Sequence, residues 1–168
     1  VSYFIFFSSM SSKSKTTSKE VSELALDLSD LPEGFQIAER TPRTISDISE
    51  EGINLGWKEG YSVRYTKGEG LLDVSVIELD ISRYPVENVT NVLNYTLTKI
   101  EGYTIEELPN PNRGDNSKAV RYTDEEFGLR LYIIEFTKKD IFMRLGMSGT
   151  STDYELLKEL AEKIEAKI

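Results

Sequence analysis

The sequence predicts an α+β fold, an antiparallel β-sheet packed by two main helices. Three observations carry that expectation. Several short segments alternate polar and apolar residues with period two, turn signals join them as hairpins, and two segments carry apolar stripes at helical spacing. Strands in sequential hairpins, with helices kept apart from them, mean α+β rather than a doubly wound α/β sheet. At 168 residues the chain is long enough for one domain with a single continuous core.

The elements follow in order. Leu24-Ala25-Leu26-Asp27-Leu28 is a short apolar start, and Ser29-Asp30-Leu31-Pro32-Glu33-Gly34 reads as a turn. Phe35–Arg40 alternates like a half-buried strand, and 41–53 is a polar connection in which Ile45 and Ile48 dock one helical turn. Trp57, Tyr61, Val63 and Tyr65 stand in period two, with Arg64 on the opposite face. Lys67-Gly68-Glu69-Gly70 turns the chain into a strand over Leu71–Ile81. Its apolar residues change face midway, which predicts a bulge near Val76–Ile77.

A helix is expected from Pro85 to about Ile100, with Val86, Val89, Leu93, Leu97 and Ile100 on its buried stripe. Strands are then expected at Tyr103–Leu108, Lys118–Thr123, Phe127–Thr137 and Ile141–Ser148. The third of these turns apolar on both faces from Tyr132 onward, the mark of a central strand covered on both sides. A second helix runs from about Asp153 to Lys167, with Thr152 and Glu155 spaced as a capping box.

Composition removes many chemistries. With no cysteine and no histidine there is no disulfide, Cys/His zinc site, thiol nucleophile or His-assisted serine triad. The 20 Lys+Arg against 29 Asp+Glu give a net charge of −9, which disfavours a nucleic-acid partner, since binding the phosphate backbone needs cations. No glycine-rich phosphate loop and no G-x-S-x-G elbow occurs.

The N-terminal segment reads as a tether. Residues 1–10 are aromatic and apolar, the remnant of a signal peptide or membrane anchor, and 11–22 form a Ser/Thr/Lys-rich linker. A β-strand or an upstream extension mistaken for coding sequence are the competing readings of residues 1–10. The single α+β domain is then expected over 23–168. Lys13, Lys15 and Lys19 are the only charges before Glu20, which suits a stalk beside an anionic membrane surface.

The order of elements resembles the PsbP-like fold, an α/β/α sandwich around an antiparallel sheet. The features that carry the resemblance are Leu31-Pro32-Glu33-Gly34-Phe35, Gly56-Trp57-Lys58-Glu59-Gly60-Tyr61, the middle helix and the capped last helix. That family includes the extrinsic photosystem subunit PsbP, a Ran-binding nuclear import factor, and many secreted or lipoprotein domains. The resemblance implies a non-enzymatic binding or assembly module. It transfers no functional residue, because none of these strings defines a site.

Candidate sites are few. Trp57, Tyr61 and Arg64 are the residues from which a ligand or partner site would be built, since Trp and Tyr offer large contact area with a polar tip; alternation within a strand otherwise means core. Asn88-Val89-Thr90 and Asn94-Tyr95-Thr96 are N-glycosylation sequons, with Asn88 expected to be the more accessible. The carboxylate pairs Glu50-Glu51 and Glu106-Glu107 and the run Asp124-Glu125-Glu126 read as solvated surface. The loop 110–116 carries oxygen ligands but misses the calcium-loop spacing, so no metal and no cofactor are expected.

The functional expectation is a non-enzymatic extracytoplasmic domain, secreted or membrane-anchored near the cell surface, that binds a protein or cell-envelope partner. A carboxylate-dependent hydrolase and a cytoplasmic protein-assembly factor are the alternatives.

Overall fold

Seven antiparallel strands form one sheet in the order β1-β2-β3-β7-β6-β5-β4. The computed structural model describes residues 15–68 and 72–168. The strands are β1 (Gln36–Arg43), β2 (Glu59–Lys67), β3 (Ser75–Arg83), β4 (Tyr103–Glu107), β5 (Asn116–Asp124), β6 (Arg130–Lys138) and β7 (Ile141–Gly149). The antiparallel α+β expectation holds, and each expected hairpin strand appears within a few residues of its expected bounds.

Pleating divides every strand between two faces. On one face Val63, Tyr65, Ile77, Leu79, Ile134, Phe136, Met143 and Leu145 form the main core. The helix α2 (Tyr154–Lys167) lies over β6 and β7 with Leu157, Leu160, Ala161 and Ile164 buried. A 3-10 helix at Val21–Leu24 covers β2 and β3. The Tyr65 hydroxyl closes this layer by donating to the Leu26 carbonyl at 2.6 Å.

The covering begins before the expected domain start at residue 23. The Thr17 amide donates to Asp140 Oδ1 at 3.0 Å, and Arg83 Nη1 donates to the Thr17 carbonyl at 2.9 Å. Residues 1–14, which include the expected targeting remnant, and the tip 69–71 of the expected β2–β3 hairpin turn lie outside the described residues.

The opposite face is covered only in patches, by α1 (Glu50–Asn54) and a 3-10 helix at Val89–Asn94. Here the sequence expectation of two main helices is corrected. The segment 85–100 is rich in Asn, Thr and Val, which hold helix weakly because their side chains crowd the turn or compete for its backbone. Val89, Val92 and Leu93 bury together on Tyr84 and Phe142. Leu97 packs instead on a separate cluster of Val120, Tyr122 and Ile133, and Ile100 is exposed. One straight helix cannot serve both clusters.

Three smaller expectations are also corrected. Strand β3 pairs in unbroken register with β2 and β7, so there is no bulge at Val76–Ile77; Leu72 is 83% exposed and Val74 precedes the strand, and neither belongs to its pleat. The irregularity falls between Ile37 and Glu39, on the edge strand β1. Phe127 and Leu129 precede β6 and are exposed, although β6 is buried on both faces from Tyr132, as expected. Finally, α2 is capped by Asp153, whose Oδ1 accepts from the Leu156 amide at 3.2 Å, rather than by Thr152.

Candidate functional site

The patchily covered face holds a polar groove. Its floor follows from strand period and register. In β3, Glu78 and Asp80 alternate with Ile77, Leu79 and Ile81, and in β7, Arg144 and Gly146 alternate with Met143, Leu145 and Met147. Pairing sets these alternate residues side by side. One row reads Thr41, Ser62, Asp80, Arg144, Glu135 and Lys118 across β1, β2, β3, β7, β6 and β5. Signs alternate along its charged part, the arrangement that stabilises cross-strand neighbours. The next row carries Glu39, Arg64 and Glu78, then Gly146, where the floor has no side chain.

Three adjoining depressions of about 340, 260 and 220 Å³ share Asp80. The first lies over β1–β3 and carries Glu39, Arg43, Arg64 and Glu78. The second is a cavity between α1 and the Val89–Asn94 turn, lined by Asp80, Ser82 and Arg144 together with Tyr84, Val92 and Phe142. The third runs over Gly146 to Leu131 and Ile133.

The charges on the floor are held from the sides. Ser62 donates its hydroxyl to Asp80 Oδ1, and Arg43 Nε stands 4.0 Å from the same oxygen. On the other flank, Glu135 is fully buried; its Oε1 accepts from the Thr96 hydroxyl at 2.6 Å. Arg144 Nε is 4.0 Å from Glu135 Oε2, and Lys118 Nζ is 3.8 Å from Oε1. Oε2 is buried and has no hydrogen-bond partner among the described residues. Burial pushes the Glu135 carboxyl above its ordinary range, and the opposing pull of Thr96, Arg144 and Lys118 does not reverse it.

The three residues singled out in the sequence are divided by the fold. Tyr61 faces the main core, where it is half-buried. Arg64 lies in the groove, exposed and paired with Glu39 at 3.2 Å. Trp57 does not share the Tyr61 face. It precedes β2, just after Gly56 at φ +88°, so strand alternation does not reach it. Its ring packs with Leu55 and Tyr84 behind the cavity, and its Nε1 donates to Ser82 Oγ at 3.1 Å.

The sequons also differ from expectation. Asn88 is half-buried and donates its amide to the Leu55 carbonyl at 3.1 Å, whereas Asn94 is exposed. No group of three or more metal-ligating side chains gathers among the described residues. Asp80, Glu135 and Arg144 were missed in the sequence. The available signal was a charged residue at an inward position of a strand apolar on both sides, which Glu135 provides.

Fold and groove together define an α+β domain whose antiparallel sheet is sealed on one face and left partly open over a charged floor on the other. Among solved structures, the chain is similar to the extracellular domain of PknH from Mycobacterium tuberculosis, with a TM-score of 0.66 over 88% of this chain and 93% of that one. Identity is 11%, so the likeness is one of fold. Neither the protein-family models nor the curated proteins give a match.

Proposed function

We propose that this is an extracytoplasmic binding domain without catalytic chemistry, and that its ligand occupies the groove on the open face of the sheet. The observation that carries the reading is the floor itself, a row of charges across a continuous sheet in which the covering turns leave Asp80 and Arg144 accessible. Concave sites in which placed polar groups fix a ligand's orientation are how proteins recognise small molecules. The fold likeness to a domain described as extracellular supports the location, as does the apolar-then-basic N-terminal sequence, read as a tether. No helix among the described residues is long and apolar enough to cross a membrane. The PsbP-like sandwich remains our reading of element order, supported by helical cover on both sides of the sheet.

A hydrolase acting through carboxylates needs two carboxyls facing one another across a substrate. Glu135 instead faces two cations, Arg144 and Lys118, which favours the binding reading. The test is a thermal-shift screen of small metabolites and cell-envelope fragments against the protein and its Gly146→Val variant. A Cβ at Gly146 meets nothing closer than 3.7 Å, so the substitution fills groove space without disturbing the sheet. Asp80 lines all three depressions, so Asp80→Asn is screened alongside; ligands that stabilise the parent and not one or other variant support the reading, and ligands indifferent to both substitutions refute it.

A further inference from the structure

Asp80 and Arg144 stand directly opposite one another on β3 and β7, yet no ion pair joins them. Cross-strand partners lie about 4.5–5.5 Å apart at Cα, within easy reach of opposite charges. Each is drawn away from the other: Asp80 toward Ser62 and Arg43, Arg144 toward the buried Glu135. Among the described residues, Asp80 Oδ2 accepts no hydrogen bond and the Arg144 guanidinium donates none. A negative and a positive group are thus held side by side, unsatisfied by one another, beneath the cavity of about 260 Å³.

That cavity selects by charge, size and polarity. Its rim adds Arg43 and Asp47, so the four ionic side chains cancel. A simple anion would meet Asp80 and Asp47, and a simple cation would meet Arg43 and Arg144. A molecule carrying both charges close together meets a partner for each. The volume lies just below the range of drug-sized sites, which restricts the ligand to a small one. Ile48, Leu55, Tyr84, Val92 and Phe142 supply apolar walls for a hydrocarbon body. We infer that the cavity between α1 and the Val89–Asn94 turn binds a free apolar α-amino acid, its carboxylate on Arg144 and its ammonium on Asp80. The inference rests on the groove being the binding site and names the ligand class. Glu135, 4.0 Å from Arg144 Nε, attracts the guanidinium by charge alone and leaves its donors to the ligand.

Trp57 reports on this cavity, because it is the one tryptophan of the chain and its indole is bonded to the floor residue Ser82. The experiment titrates the full chain with L- and D-leucine and phenylalanine, following Trp57 emission and binding heat. N-acetyl-leucine and leucinamide serve as singly charged controls. Saturable binding is expected for at least one free amino acid, weakened about tenfold or more by capping either end. Asp80→Asn should lower affinity for leucine and leucinamide, and leave N-acetyl-leucine unchanged. Arg144→Gln should lower affinity for leucine and N-acetyl-leucine. Because Arg144→Gln also leaves the buried Glu135 with Lys118 as its one cationic neighbour, the ligand-capping comparison stands as the test that needs no substitution. Equal binding of capped and free forms overturns the inference, as does absence of any amino-acid signal up to about 10 mM, the regime of negligible affinity. If other ligands are then lost on Gly146→Val or Asp80→Asn, the inference fails while the groove remains the site; if none is, both fail.

Discussion

Arg83 Nη1 lies 2.5 Å from Asp140 Oδ2, and the two side chains are only 14% and 6% exposed. The pair joins the end of β3 to the β6–β7 turn and also holds the incoming chain through the Thr17 backbone. A charged pair this dry is not needed to create stability, but removing one partner leaves the other uncompensated. Arg83→Ala is therefore expected to cost about 3 kcal/mol. Urea unfolding checks it, as a lowered midpoint, and hydrogen exchange at the Thr17 amide should accelerate in the same variant.

The Trp57 ring is seated over a residue without a side chain. A Cβ at Gly60 would come within 2.9 Å of Ser82 Oγ and 3.2 Å of Trp57 Cζ2. Gly60→Ala should therefore displace the indole, costing about 1–3 kcal/mol as other overpacked sites do. A red-shifted emission, from an indole moved toward water, is the accompanying signal; unchanged emission and stability would show that the ring does not depend on this gap.

Glu135 makes stability depend on pH in the less usual direction. Its carboxyl is fully buried, with Lys118 of β5, Arg144 of β7, Thr96 and the Tyr122 phenol as its polar neighbours. Burial raises its folded-state pKa above the ordinary value of 4.5. The folded protein then holds this proton more tightly than the unfolded chain. The contribution is full below pH 4.5 and is lost as pH rises through the raised folded-state value. Glu135→Gln should remove that loss, so the difference in melting temperature, variant minus parent, should grow with pH across this window. A difference that is flat with pH would contradict the assignment.

Asp153 accepts from the Leu156 amide at the start of α2. Asp153→Ala should destabilise the domain by about 1 kcal/mol, whereas Thr152→Ala should change stability by a few tenths at most. Denaturant midpoints of the two variants decide between the observed cap and the capping box that the Thr152–Glu155 spacing predicts.

Legibility in the sequence varied with the kind of signal. Strands such as β7, where Met143, Leu145 and Met147 alternate with Arg144, Gly146 and Ser148, announce themselves, because period two is a property of the strand alone. The last helix was equally clear, since its stripe meets one continuous core. The segment 85–100 misled because its apolar residues keep helical spacing while packing on two separate clusters. Alternation misplaces Trp57 because it extends only as far as Glu59, where β2 begins, and Trp57 lies before it, just after the turn at Gly56.

By itself the sequence determined the strands of the sheet and its last helix and, through missing cysteine and histidine, the chemistries closed to it. Which charges would meet was decided only by tertiary structure. Glu135 and Arg144 face one another across the β6–β7 hairpin, but Asp80, far away along the chain, joins them only through the β3–β7 pairing. Local patterns can state that each faces away from the main core, but only the order of strands makes them neighbours. Only the short turns laid over that face decide that the row between them stays open.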